Sequence, residues 1–142
     1  LVRQFLAARV DFAANRLPPP WKRTYPIGLD TEVCTFSALE QAWKEADQNY
    51  QREHVMPYLY EQEGRFELMV MNYASDLGSQ RWTVDTPEDL EFIRRVFEQF
   101  GGSNDFGWLD VLKVVQQHPA FEEINAGVRH KVFNESEQKA AQ

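Results

Sequence analysis

One cysteine in 142 residues, Cys34, leaves no internal disulfide to form. That excludes a disulfide scaffold and points to a reducing compartment, so the cytoplasm is the expected location. Apolar runs such as Leu68–Met71 are far shorter than the roughly 20 residues of a membrane-spanning helix, and no leader of the secretory kind is expected. Positive charge is scarce: 22 acids against 15 lysines and arginines give a net charge of −7. The one basic cluster is Arg129–Lys131, too small to hold a phosphate backbone, and no nucleic-acid partner is expected. His118, His130 and Cys34 lack metal-ligand spacing, and no glycine-rich phosphate loop, Ser-His-Asp set or paired CxxC occurs. An initiator methionine is missing as well; "LVRQFLAAR" reads as the middle of an amphipathic helix, and the expectation is a chain continued upstream.

What the sequence does hold is enough for a core. Hydrophobic residues make up 43% and aromatics 13%, which argues against intrinsic disorder. A chain of this length buries roughly 68–70% of its unfolded surface. One domain over residues 1–133 is expected, with a polar, frayed tail over 134–142. Helical spacing marks 1–9, and 10–15 reads as a short strand. Prolines exclude regular structure over 16–26, and 28–36 alternates like a strand. Ser37 with Glu40 gives a capping-box signal for a helix carrying Leu39, Ala42, Trp43 and Ala46. Residues 49–62 predict a helix broken near Pro57, residues 65–72 a strand, and Arg81–Val84 another. A long helix follows with Leu90, Ile93, Val96, Phe97 and Phe100 on one stripe and glycines at its end. Trp108, Val111, Leu112 and Val115 mark a further helix that stops before Pro119. Strands alternating with helices make this an α/β layer structure, a mixed sheet flanked by helices.

The stretch "DTPED" holds three acids in five residues. Thr86 fits the N-cap, Pro87 the first helical position and Asp89 the reciprocal cap, while Glu88 complements the positive helix end. Asp85 is left over, at the end of the expected strand, where open α/β sheets place ligands; it is either a ligand or a solvated turn acid. Asp30 and Glu32 share one strand face, which suits a hard cation or sugar hydroxyls and equally suits a solvent-facing strand. Arg52, Glu53 and His54 are consecutive on a helix and cannot all point one way. Arg52 suits a planar carboxylate or phosphate. His54 is either a hydrogen-bond donor to substrate or a satisfied half-buried histidine, and Arg81 carries the same ambiguity.

The segments "YPIGLDTEVCTFSALEQAW", "QREHVMPYLY", "QRWTVDTPEDLEFI" and "HPAFEEINAGVRHK", in this order, resemble the C-terminal half of the cytidylyltransferase-like proteins of surface polysaccharide synthesis, especially the spore-coat type. That group is similar to the CMP-sialate and CMP-octulosonate synthetases. The resemblance implies the C-terminal portion of a nucleotide-diphospho-sugar transferase-like, GT-A-like fold. It also implies a magnesium-dependent transfer between a nucleoside triphosphate, CTP, and a sugar, with release of pyrophosphate. It makes Asp85 the catalytic metal ligand and puts Asn15, Asp30, Glu32, Arg52, Glu53, His54 and Arg81 on the substrate side. The family's triphosphate loop and its "DxPL"-like acidic segment have no counterpart here, so the chain alone is expected to be inactive and to pair as a homodimer. Magnesium usually takes only one or two protein carboxylates, which suits one aspartate from each half. Two other readings stand beside this one: a non-catalytic interaction or dimerisation module of the same fold, and a glycosyltransferase that uses an already activated sugar.

Overall fold

The computed structural model describes residues 1–54 and 56–129. His130, Lys131 and the polar tail lie outside the described residues. In chain order come helix α1 (Val2–Ala8), strands β1 (Phe12–Ala14) and β2 (Glu32–Cys34), helices α2 (Phe36–Glu45), α3 (Asn49–His54) and α4 (Pro57–Tyr60), and strand β3 (Leu68–Val70). Helices α5 (Pro87–Glu98), α6 (Trp108–Gln117) and α7 (Ala120–Asn125) complete it. The described chain forms two compact units, the first Leu1–Gln80 and the second beginning at Arg81.

In the first unit, Phe12, Ala13 and Ala14 are all fully buried, as a strand covered on both faces must be. β1 is accordingly central in a three-stranded mixed sheet of order β2-β1-β3, antiparallel to β2 and parallel to β3. The core joins Phe12, Ala14 and Leu17 to Ala38, Ala42 and Ala46 from α2 and its C-terminal end, and to Tyr58 and Leu59 of α4. Alanines every fourth residue let α2 approach closely. Its N-cap is Thr35, whose hydroxyl accepts from the Ala38 N–H at 3.1 Å, two residues before the expected Ser37. Ser37 lies inside the helix and donates to the Thr35 hydroxyl. Pro57 separates α3 from α4 as expected, sitting at the first position of α4, where its missing N–H leaves no bond unmade.

In the second unit, α5 packs against α6 and α7. Its buried residues are Asp89, Phe92 and Val96, so the apolar stripe expected from Leu90 to Phe100 is rotated toward the acid. Leu90 and Phe97 are 38% and 46% exposed, and Phe97 meets Phe106 edge-on at 5.2 Å. Residues 81–84 do not form the expected strand. Arg81 and Trp82 are adjacent and both buried, which breaks the alternation of a half-buried strand. Asp85 therefore follows an irregular segment rather than a strand end.

Candidate functional site

Helix α5 begins as its residues dictate. The Thr86 hydroxyl accepts from the Asp89 N–H at 3.2 Å, and Asp89 Oδ2 accepts from the Thr86 N–H at 3.1 Å, with Pro87 in the first turn. Asp89 does more than close this capping box. It is fully buried and its two oxygens also accept from Arg81 Nε at 2.8 Å, Arg81 Nη2 at 2.9 Å, Asn125 Nδ2 at 2.9 Å and the Asp85 N–H at 3.1 Å. The Arg81 guanidinium above all holds the Asp89 carboxyl well below the usual carboxylate range, with Asn125 and the Asp85 N–H assisting against the opposing cost of burial. Asn125 also donates to the Arg81 carbonyl at 2.9 Å.

Asp85 stands at the rim of this cluster. Its side chain is 62% exposed, and Oδ2 accepts from Arg81 Nη2 at 2.8 Å. Two carboxylates share one guanidinium, so the side chains of Arg81, Asp85 and Asp89 together carry one net negative charge. The capping expectation for Thr86, Pro87 and Asp89 thus agrees with the structure, and Asp85 takes no part in capping with its side chain. Arg81 lies deep, 7% exposed at the side chain, as the partner of both acids. Asn125 and Asp89 complete a network that sequence reading missed: Asp89 was legible only as a cap, and Asn125 lies 36 residues from its partner.

The other candidate residues belong to the first unit. Asn15 is buried and its amide bridges the chain ahead of β2, donating to the Leu29 carbonyl and accepting from the Thr31 N–H, both at 2.8 Å. That pins the segment bearing Asp30 and Glu32. Asp30 lies outside β2 and receives a two-pronged bond from Arg23, at 2.6 and 3.0 Å. Glu32 is the acid with its carboxylate left for other work. Desolvation by its surroundings pushes its carboxyl up, Arg16 draws it back and Asp30 adds to the rise. Burial, with Glu32 and Glu61 adding their charge, pushes the Tyr60 phenol up to about 12.

Helix α3 separates its three polar residues. Arg52 Nη1 donates to the Trp43 carbonyl at 2.6 Å, satisfying a carbonyl in the last turn of α2, so this side chain ties two helices as well as facing solvent. His54 Nε2 lies 4.0 Å from Glu53 Oε1, and both side chains are exposed. A groove of 720 Å³ runs along α2, lined by Phe36, Leu39, Ala42, Trp43, Ala46 and Arg52 among others. Phe36 and Trp43 are 79% and 69% exposed.

Among the described residues no group of three or more histidines, cysteines or acids is placed to hold a metal. Asp85 offers a charged, exposed oxygen beside the buried Arg81–Asp89 pair: Oδ2 is held by Arg81, and no hydrogen bond holds Oδ1. A single hard carboxylate fits magnesium, which completes its shell with phosphate and water, and does not fit a cation that needs a full protein cage.

No protein-family model matches the chain. An uncharacterized protein of Methanocaldococcus jannaschii is 35% identical over 117 residues, which span 79% of this chain and 46% of that protein. A solved structure, a cytidylyltransferase from Leptospira borgpetersenii, superposes with a TM-score of 0.76 at 28% identity, covering 93% of this chain and 52% of that one. The chain thus spans about half the length of each protein it matches. Its mixed sheet and flanking helices are consistent with a nucleotidyltransferase-like fold, and no described helix is long and apolar enough to cross a membrane.

Proposed function

We propose that this chain is the sugar-facing, C-terminal part of a magnesium-dependent nucleotidyltransferase that joins CTP to a sugar for surface polysaccharide synthesis in the cytoplasm. The carrying observation is Asp85: an exposed carboxylate released from capping by Thr86 and Asp89, held by Arg81, with one oxygen open. The likeness to a cytidylyltransferase supports the reaction class. In this reaction a sugar hydroxyl oxygen bonds to the α-phosphorus, the bond from that phosphorus to the pyrophosphate oxygen breaks with its electron pair, and the hydroxyl proton passes to water. Bound magnesium would neutralise phosphate charge and hold the α-phosphate in line. Asp85 would hold the ion, Glu32 would accept from sugar hydroxyls, and Asn15 and Asp30 would keep the Glu32 segment in register. Arg52, Glu53 and His54 would meet polar groups of the sugar. No residue needs to form a covalent intermediate.

A second reading, an interaction or dimerisation module of the same fold, is favoured by the aromatic face of α2, where Phe36 and Trp43 stand in solvent. A homodimer built on that face is compatible with either reading. Pyrophosphate release from CTP and sugar by the full-length gene product, with Asp85→Asn as the comparison, separates the readings: the module and a glycosyltransferase both release none from these substrates, and only the glycosyltransferase releases a nucleoside diphosphate or monophosphate when given a nucleotide-activated sugar and an acceptor.

A further inference from the structure

Exposed aspartates ordinarily sample several side-chain rotamers, and a metal ligand that wanders costs turnover. Asp85 is exposed, yet both its backbone and its side chain are referenced to one buried point. Its N–H donates to Asp89 Oδ2 at 3.1 Å, and its Oδ2 accepts from Arg81 Nη2, the same nitrogen that donates to Asp89 Oδ2 at 2.9 Å. Arg81 Nε is fixed by Asp89 Oδ1 at 2.8 Å. Asn125, arriving on α7, closes the other side with one amide nitrogen that donates to both Asp89 Oδ1 and the Arg81 carbonyl, each at 2.9 Å. Asp89 and Asn125 are 0% and 3% exposed, so neither can touch a substrate in this arrangement, and Arg81 presents little more.

We propose that Arg81 and Asn125 are positioning residues for Asp85: the clamp they form on buried Asp89 selects one Asp85 rotamer and turns its second oxygen outward. The inference rests on the reading of Asp85 as the magnesium ligand, and it moves Arg81 from the substrate-binding set to the support of that ligand. A lysine at position 81 keeps a charge for Asp89 but lacks the fork that serves two acids at once. Replacing Asn125 leaves the ion pair in place and loosens it from the far side.

The test has a spectroscopic and a kinetic arm. Three-bond couplings of the Asp85 β-protons, measured by NMR on the 142-residue chain, should be unequal in the unaltered chain, as for one rotamer. They should move toward equal values in Arg81→Lys and Asn125→Ala. Broadening of the 84–86 amide signals by added Mn²⁺ should need no more metal in Arg81→Lys than in the unaltered chain, because taking a guanidinium off the carboxylate does not weaken its pull on a cation. In the full-length gene product, turnover should fall about tenfold in either variant while KM for sugar and CTP stays within about twofold. Averaged couplings in the unaltered chain, or couplings unchanged in both variants, would overturn the proposal. So would a raised sugar KM at normal turnover in Arg81→Lys, which would mean that Arg81 touches substrate. If Arg81→Lys does not fold, Asn125→Ala decides alone. An Asp85→Asn enzyme with normal magnesium dependence defeats the metal reading, whereas the coupling measurement defeats only the clamp.

Discussion

Asp89 is the residue whose chemistry is most strongly dictated by its surroundings. A fully buried carboxylate is tolerated only when paired and hydrogen-bonded, and Arg81 and Asn125 supply both conditions. Arg81 above all depresses its proton affinity. The sign of the pH effect follows: the unfolded acid titrates near about 3.9 and the folded one lower. Its contribution to stability is therefore complete above that unfolded value and is lost as pH falls below it. Urea unfolding at stepped pH should show stability dropping below about pH 4, with that part of the drop absent in Asp89→Asn. An unchanged slope in the variant would mean that another acid carries the effect. None of this was legible in the sequence beyond the cap, because Arg81 and Asn125 lie 8 and 36 residues from Asp89 and only the fold brings them together.

At the scale of elements, local chemistry was readable where every partner lies within one helical turn. The Thr86–Asp89 capping box is such a case, and its loss has a calculable cost: Thr86→Ala should lower unfolding free energy by about 1 kcal/mol. A change within a few tenths would show that the five bonds to Asp89 hold the helix start without the hydroxyl. The start of α2 was misplaced for a related reason. Thr35 and Ser37 both offer a hydroxyl, and the choice is made by burial of Ala38, Ala42 and Ala46, which sets the helix register against β1. The strand expected at 81–84 failed because two neighbouring side chains are both drawn inward, Arg81 by Asp89 and Trp82 by packing. Helix α7 went unforeseen as an element, and with it the residue that closes the clamp.

As a whole molecule, the chain matches about half of a cytidylyltransferase and carries Asp85 at its surface. Large exposed aromatics on α2 predict self-association: sedimentation at rising concentration should show a dimer that Trp43→Ser shifts toward monomer, since side chains such as Trp43 supply the apolar area for association. A monomer at every concentration would remove the homodimer from the account.

The most direct test of the central claim is a magnesium titration of pyrophosphate release by the full-length gene product and its Asp85→Asn variant, each paired with a denaturant melt. The amide keeps the shape of the carboxylate and removes its charge, so turnover should fall severely and its dependence on magnesium should weaken. Stability should hardly change, because the cap at Thr86 and the Arg81–Asp89 pair remain. An Asp85→Asn enzyme that turns over normally at saturating magnesium but melts early would contradict the account and return Asp85 to a purely structural role.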